Sequence, residues 1–219
     1  MLSTVARMID QIQFETRDSR DWTGISAIEP KVVEALQLTP RVAFVPDECA
    51  HLAYANQPLP VGFGQTISQP FIVALMTQLL LPQENDTILE IGTGSGYQAA
   101  VLARLVRRVI TVEIVAALAV RAAKTLAALG VSNVEVHAGD GYGGWPESAP
   151  YDGIIVTACA KAIPQPLLDQ LKPGGRMVIP IGTAYGSQDL RLVEKSAGGA
   201  VSSREVLPVA FVPFTRSSV

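Results

Sequence analysis

The sequence is poor in residues that crosslink chains or bind metals. Its 219 residues include only two cysteines and two histidines. Cys49 and Cys159 lie far apart, which argues against a disulfide framework and is typical of reduced thiols in a cytoplasmic protein. No group of His, Cys, Asp and Glu residues has the spacing of a metal site, so we expect no bound metal.

A long hydrophobic run is also missing. The most apolar helical stretch, residues 71–81, contains Thr77 and Gln78 and is shorter than the ~20 apolar residues that span a bilayer. Arg7 and Asp10 interrupt the N-terminal region, which therefore does not resemble a secretory signal. We expect a cytoplasmic protein that has no membrane partner.

An excess of positive charge is absent as well. The 17 Lys and Arg residues and 20 Asp and Glu residues give a formal net charge of −3. Nucleic-acid binding depends on clustered Lys and Arg side chains, so we expect no nucleic-acid partner. The apolar fraction of 48% and the charged fraction of 17% are typical of a globular chain, and the length fits one domain.

The hydrophobic pattern changes at about residue 87, where short apolar runs begin to alternate with helical patterns. The runs predict strands over residues 88–91, 109–112, 134–136, 153–156 and 177–179, and the intervening segments predict helices over residues 98–107, 116–129 and 164–171. This order predicts an α/β fold with a doubly wound, mostly parallel sheet and helices on both faces. Strand-like residues 190–193 and 204–212 have no helix between them and should pair antiparallel at one edge.

The region before residue 87 predicts helices interrupted by proline. Thr39 and Pro40 predict a helix start, with Thr39 as the N-cap. Residues 58–65 are rich in proline and glycine and predict an extended loop. Another helix should follow over residues 70–81.

A glycine-rich loop joins the first predicted strand of the sheet to the next helix. It contains Gly92, Thr93, Gly94 and Gly96, and Glu90 precedes it. A dinucleotide-binding loop has the spacing G-x-G-x-x-G, whereas the third glycine here comes one position earlier. A carboxylate beside the loop would repel a phosphate and suit a cationic ligand. A tight strand–helix connection with no ligand remains an alternative.

Two more acidic residues follow the next two strands. Glu113 ends the second strand, where a carboxylate can accept hydrogen bonds from both ribose hydroxyls, and Asp140 follows the third, where it can accept from an exocyclic amine. Each could instead be a solvated loop acid. Together the three carboxylates describe a ligand with an adenine, a ribose and a positive charge but no phosphate. S-adenosylmethionine fits, and the pattern is typical of a class I methyltransferase.

Further motifs surround the glycine loop. They lie at residues 58–70, 89–98, 139–145, 149–158, 163–175 and 211–213. Together they resemble the protein-L-isoaspartate (D-aspartate) O-methyltransferase family over about residues 30–214. The resemblance implies a protein-repair enzyme that uses S-adenosylmethionine, yields S-adenosylhomocysteine, and methylates the free carboxyl of L-isoaspartyl and, less readily, D-aspartyl residues in damaged proteins.

The resemblance also implies roles for individual residues. Ser68 falls on the active-site position of the family. The implied cofactor-binding residues are Thr66, Ile67, Glu90, Gly92, Thr93, Gly94, Gly96, Glu113, Asp140 and Gly141. From the sequence alone, Ser68 could instead be the N-cap of the helix that begins near Pro70. A carboxylate acceptor with a pKa near ~4 is already ionised at neutral pH and needs no general base.

Three departures from the family pattern leave alternatives open. Residues 55–57 are Ala-Asn-Gln, where the family usually has an acidic residue followed by a basic one. Lys161 stands where proline is usual, and residues 1–28 match the family poorly. A methyltransferase with another acceptor, or an inactive cofactor-binding homologue, remains possible. We expect a monomer with one domain over residues 1–219, made of an N-terminal helical segment on the substrate side (1–65) and a cofactor-binding core (66–219).

Overall fold

The computed structural model describes residues 4–183 and 186–216. The helices are α1 (Thr4–Asp18), α2 (Arg20–Thr23), α3 (Pro30–Leu38), α4 (Pro70–Leu80), α5 (Tyr97–Ala103), α6 (Ala116–Ala128) and α7 (Gln165–Gln170). The strands are β1 (Leu59–Gly62), β2 (Gln65–Ile67), β3 (Thr87–Ile91), β4 (Arg108–Glu113), β5 (Val134–Ala138), β6 (Tyr151–Val156), β7 (Leu171–Gly182), β8 (Gln188–Lys195) and β9 (Val201–Pro208). Short 3-10 helices cover Arg41–Phe44, Asp47–Leu52, Gly141–Gly143 and Pro146–Ser148.

The main sheet has seven strands in the order β5-β4-β3-β6-β7-β8-β9. The pairs from β5 to β7 are parallel, and β8 and β9 add antiparallel pairs at one edge. The predicted fold class is therefore confirmed. From β3 the chain first builds outward through β4 and β5, and it then returns to β6 on the other side of β3. Such a reversal opens a crevice at the carboxyl end of the central strand, where open α/β sheets bind ligands.

The burial of β3 on both faces explains its central position. All five of its residues are buried, as expected for a parallel strand covered by helices on both faces. Successive side chains point to opposite faces, so Ile88 joins the hydrophobic core under α4 and α5, whereas Leu89 and Ile91 join the core under α7. The end of β3, and with it the glycine loop, is thereby fixed from both sides.

The predicted helix start at Thr39 is wrong. Thr39 lies just beyond the end of α3, and only the short 3-10 helix of Arg41–Phe44 follows. The Thr39 hydroxyl donates back to the carbonyl of Ala35 (2.7 Å) and accepts from Arg104 Nε (3.0 Å). The side chain therefore completes the preceding helix and cannot cap a following one.

The loop predicted over residues 58–65 is instead mostly a β-hairpin. β1 pairs antiparallel with β2, and the turn between them contains Phe63 with a φ of 56°. Pro60 is tolerated because this two-stranded sheet leaves its strands at an edge. The sequence signal failed because proline and glycine are common both in loops and in hairpins of this kind.

Other boundaries also differ from the predictions. Strand β7 covers Leu171–Gly182 rather than residues 177–179, so Leu171 begins a strand instead of ending a helix. Helix α5 ends at Ala103 rather than at residue 107, and β9 covers Val201–Pro208 rather than residues 204–212. No described helix is long and apolar enough to cross a membrane.

Candidate active site

A cavity of about 460 Å³ opens at the carboxyl ends of β3 and β4. This volume lies within the range of small-molecule sites. Of the predicted site residues, its wall includes Thr66, Ile67, Ser68, Gly92, Thr93, Gly94, Glu113 and Gly141. Glu90, Gly96 and Asp140 do not line the cavity, but each is next in the sequence to a residue that does. The structure thus brings the end of the hairpin and the glycine loop to one cavity.

The glycine loop (residues 92–96) needs glycine for two different reasons. Gly92 has a φ of +93°, and a Cβ there would lie 2.3 Å from Thr157 Oγ1, whose hydroxyl donates to the Gly92 carbonyl at 2.6 Å. Glycine at this position therefore lets the Thr157 side chain pack directly against the loop. Gly96 has a φ of +89° and would place a Cβ 3.2 Å from the Cβ of Ala122. Gly96 thus allows the start of α5 to pack against α6.

Glu113 joins the glycine loop to the end of β4. The residue is 4% exposed, and its two carboxylate oxygens accept from the backbone N–H groups of Gly94 (2.7 Å) and Val115 (2.9 Å). Each oxygen has another lone pair, so the carboxylate can still accept from a ribose hydroxyl. Glu113 therefore both shapes the loop and presents an acceptor to the cavity.

Glu90 lies beneath the loop rather than on the cavity wall. Its side chain is fully buried in β3, Oε2 accepts a short hydrogen bond from the Thr111 hydroxyl, and Oε1 has no hydrogen-bond partner among the described residues. Thr111 Oγ1 lies 2.7 Å from the hydroxyl oxygen of Thr93, which does line the cavity. A chain of three side chains thus connects the buried carboxyl to the wall.

Burial raises the pKa of Glu90 from its usual value of 4.5 to about 8. The hydrogen bond from Thr111 opposes this rise, and the nearby charge of Glu113 adds to it. At neutral pH the carboxyl is therefore largely protonated in the ligand-free protein. The sequence had suggested a fixed negative charge at this position, whereas the structure places there a group that ionises readily only if a positive charge is brought close.

The titration of Glu90 predicts how stability depends on pH. Because the folded protein holds the proton more tightly than the unfolded chain, the stabilisation is complete below about pH 4.5 and is lost as pH rises through about 8. We expect the Tm of Glu90→Gln, measured relative to that of the wild type, to rise from pH 5 to pH 9. Thermal unfolding without cofactor measures this difference.

Glu84, which is solvent-exposed, provides the matched control. The Tm of Glu84→Gln, measured relative to that of the wild type, should rise less over this pH range than that of Glu90→Gln. A rise for Glu90→Gln no larger than that for Glu84→Gln would show that Glu90 is already ionised in the folded protein.

Asp140 lies beside Arg216. Its Oδ1 accepts from the backbone N–H of Tyr142 (2.9 Å), and its Oδ2 lies 3.6 Å from Arg216 Nε. The Arg216 guanidinium also stacks on the Tyr142 ring, 3.8 Å from its centroid. Asp140 therefore stands beside the cavity, next to Gly141, which lines it.

The C-terminal segment (residues 212–216) is part of the wall that the sequence did not predict. Backbone hydrogen bonds hold it against the loop after β6: Cys159 N–H donates to the Val212 carbonyl, and Phe214 N–H donates to the Cys159 carbonyl, both at 2.8 Å. The motif at residues 211–213 was the available signal, although the predicted last strand (residues 204–212) overlapped it. Thr157 and Phe63 are two more wall residues that the predictions omitted.

Ser68 does not cap α4. The N-cap is Gln69, and the N–H of Phe71 in the first turn donates to Asn56 Oδ1 (2.9 Å). The hydroxyl of Ser68 makes no hydrogen bond to the residues that the structure describes. The capping alternative is therefore wrong, and the hydroxyl on the cavity wall is available to a bound molecule.

The charges on the wall fit a phosphate-free ligand. Within residues 4–183 and 186–216, the wall has one acidic residue, Glu113, and one basic residue, Arg216. A phosphate site would need several cationic side chains or an exposed cluster of N–H donors. Over the same residues, no group of three or more His, Cys, Asp and Glu side chains is arranged to hold a metal. A wall that contains the glycine loop and the acceptor Glu113 thus suits an adenosyl group.

Comparison with known sequences is consistent with this site. The family model described as protein-L-isoaspartate(D-aspartate) O-methyltransferase matches residues 22–219. A relative from Syntrophobacter fumaroxidans, named protein-L-isoaspartate O-methyltransferase 2, is 54% identical over 96% of this chain and 85% of its own length. A relative of the same name from a Polaromonas species is 53% identical over 95% of this chain and 99% of its own length.

Solved structures agree in fold. A protein-L-isoaspartate O-methyltransferase superposes with a TM-score of 0.80 at 27% identity, covering 93% of this chain and 65% of that longer chain. A second structure, from Plasmodium falciparum and described as a putative enzyme of this kind in complex with S-adenosyl-L-homocysteine, has a TM-score of 0.77 at 22% identity over 95% of this chain and 99% of its own. The family predicted from the sequence motifs is confirmed: this chain belongs to the protein-L-isoaspartate (D-aspartate) O-methyltransferase family.

Proposed function

We propose that this protein transfers the methyl group of S-adenosylmethionine to the free carboxyl of L-isoaspartyl residues, and less readily of D-aspartyl residues, in damaged proteins. The observation that carries the proposal is the shared cavity. Its wall joins the glycine loop to the hairpin end that bears Ser68, and the hairpin lies in one of the motifs that carry the family resemblance. A methyltransferase with an unrelated acceptor would have no need for this hairpin.

The residues around the cavity suit the cofactor in separate ways. S-adenosylmethionine supplies an activated methyl group on a positively charged sulfur. Glu113 would accept from the ribose, Asp140 from the adenine amine, and the backbone at Gly92 and Gly94 would allow close approach. The rest of the predicted wall consists of Thr66, Ile67, Thr93 and Gly141. Glu90 is buried beneath the glycine loop, and Gly96 lets the start of α5 pack against α6.

The acceptor side depends on orientation rather than proton transfer. An isoaspartyl carboxylate is ionised at neutral pH, so no general base is required. Ser68 would donate a hydrogen bond to the acceptor and direct one carboxylate oxygen toward the methyl group. Well-oriented reactants can gain up to ~7–11 kcal/mol over free encounter in solution. Holding both reactants in one partly closed cavity also excludes water from two charges that neutralise each other.

We also propose one methyltransferase domain over residues 1–219, with residues 1–65 on the substrate side and residues 66–219 as the cofactor core. The hairpin supports this organisation because β1 and β2 link the two parts. The proposed setting is a cytoplasmic monomer acting on peptides and proteins rather than on nucleic acids or membranes. Two free cysteines and a net charge of −3 support it.

Labelled S-adenosylmethionine provides the test of this function. Incubation with an isoaspartyl peptide should give a base-labile methyl ester, and the matched aspartyl peptide should give none. Label on neither peptide, with binding of S-adenosylhomocysteine retained, would indicate an inactive homologue. Label on both peptides equally would indicate a different acceptor.

A further inference from the structure

Arg41 is an arginine in the protein interior that binds only backbone. The side chain is fully buried. Nη1 donates to the carbonyl of Ala53 (2.6 Å), and Nη2 donates to the carbonyls of Gln57 (3.2 Å) and Ser68 (2.9 Å). One guanidinium therefore links the N-terminal segment to the residue that we place beside the acceptor.

The charge of Arg41 has no carboxylate partner among residues 4–183 and 186–216. Its Nε has no hydrogen-bond partner there either, and the guanidinium lies 5.7 Å from the centroid of the Tyr97 ring. Burial lowers its pKa to about 10, so the group still carries its charge at neutral pH. An apolar side chain of similar volume could occupy this position without the free-energy cost of removing a charge from water. The three carbonyls that accept from the guanidinium therefore explain why an arginine occupies this position.

Asn56 holds the same segment from its other end. Its Oδ1 accepts from the N–H of Phe71 (2.9 Å), and its Nδ2 donates to Glu15 Oε1 of α1 (2.7 Å). The other oxygen of Glu15 accepts from Gln69 Nε2 at 3.1 Å. An amide can accept and donate at once, whereas an ionised acidic side chain can only accept. Asn56 lies in the run that departs from the family pattern. Its amide can donate to the Glu15 carboxylate on α1 while it accepts from Phe71.

We propose that Arg41 and Asn56 are positioning residues that fix the backbone from Ser68 to Phe71 and thereby direct the Ser68 hydroxyl toward the acceptor carboxyl. The inference rests on the proposed function, since it assigns both residues to the methyl-accepting side of the site. Neither residue belongs to the described wall of the cavity, so each acts through the segment between β2 and α4. Misplacement of a reacting group by about 1 Å can cost ~100-fold in rate.

Steady-state kinetics of Arg41→Lys and Asn56→Ala test the inference. Lysine keeps the charge but cannot reach three carbonyls with one planar group, and alanine removes both hydrogen bonds of Asn56. We expect each variant to lower kcat/KM for an isoaspartyl peptide about 10-fold or more, with the Kd of S-adenosylhomocysteine within about twofold of the wild type.

Arg104→Lys is the matched control. Arg104 also donates to a backbone carbonyl, that of Leu38 (2.6 Å), and to the Thr39 hydroxyl (3.0 Å), but it lies outside the described cavity wall. Its kcat/KM should stay within about twofold of the wild type. A loss as large as that of Arg41→Lys would mean that general destabilisation, not positioning, lowers the activity.

Repeating both substitutions in a Ser68→Ala background separates positioning from a structural role. If Arg41 and Asn56 act through the hydroxyl, each should cost less than about twofold once that hydroxyl is gone. Equal losses in both backgrounds would overturn the inference while leaving the proposed function intact. If Arg41→Lys does not fold, Asn56→Ala decides alone. A folded wild type that makes no isoaspartyl ester would overturn the proposed function, and this inference with it.

Discussion

Replacing Ser68 with alanine is expected to lower kcat/KM for an isoaspartyl peptide roughly 10- to 150-fold. The hydroxyl lies on the cavity wall and makes no hydrogen bond to the described residues, so its loss disturbs no internal contact. A hydrogen bond to an ionised group contributes about 1.5–3 kcal/mol, which corresponds to this range. Steady-state kinetics with peptide as the varied substrate measures the loss, and calorimetry with S-adenosylhomocysteine should give a Kd within about twofold of the wild type.

Ser196→Ala is the control for this change. Ser196 lies in the turn between β8 and β9, where its hydroxyl accepts from the N–H of Ala200 (3.0 Å). The variant should retain wild-type kinetics. Parallel losses of peptide turnover and cofactor affinity in Ser68→Ala would instead show that Ser68 supports the wall as a whole.

Glu113→Ala is expected to weaken binding of S-adenosylhomocysteine by at least ~100-fold. The carboxylate accepts from the N–H groups of Gly94 and Val115, and each such charge-assisted bond is worth about 1.5–3 kcal/mol. Alanine would leave both N–H groups without their partner, free the glycine loop, and remove the acceptor for the ribose. Isothermal calorimetry at fixed pH measures the change.

Two variants calibrate this prediction. Glu113→Gln keeps one acceptor oxygen and should lose less affinity than Glu113→Ala. Glu205→Ala removes an exposed carboxylate that pairs with Arg191 at the edge of the sheet, and its Kd should not change. Unchanged affinity in Glu113→Ala would contradict the role of this residue in the cofactor site.

The core strands could be predicted because a parallel strand covered on both faces leaves a continuous apolar run in the sequence. Residues 153–156 are such a run, and in residues 88–91 only Glu90 interrupts it; both segments lie within central strands. The hairpin was missed because its alternation is short and contains Pro60. The end of β9 was misplaced because residues beyond Pro208 leave the sheet for the cavity, a change that no periodicity records.

The candidate site was only partly predictable for a related reason. Glu113 and Glu90 were both predicted from their positions at strand ends. The structure places Glu113 on the cavity wall, whereas Glu90 precedes the last residue of β3 and lies inside the sheet. The contacts of Arg41 with Ser68, and of Glu15 with Gln69, join residues 27 and 54 positions apart. Such pairs depend on how α1 and the hairpin pack, so local sequence patterns do not encode them.

A crystal structure of the protein with both S-adenosylhomocysteine and an isoaspartyl peptide tests the central claim most directly. We expect the ribose hydroxyls within hydrogen-bonding distance of Glu113, the adenine amine beside Asp140, and the acceptor carboxylate within hydrogen-bonding distance of Ser68 Oγ. A nucleoside bound elsewhere, or a peptide whose isoaspartyl carboxylate lies away from Ser68 and the glycine loop, would contradict it.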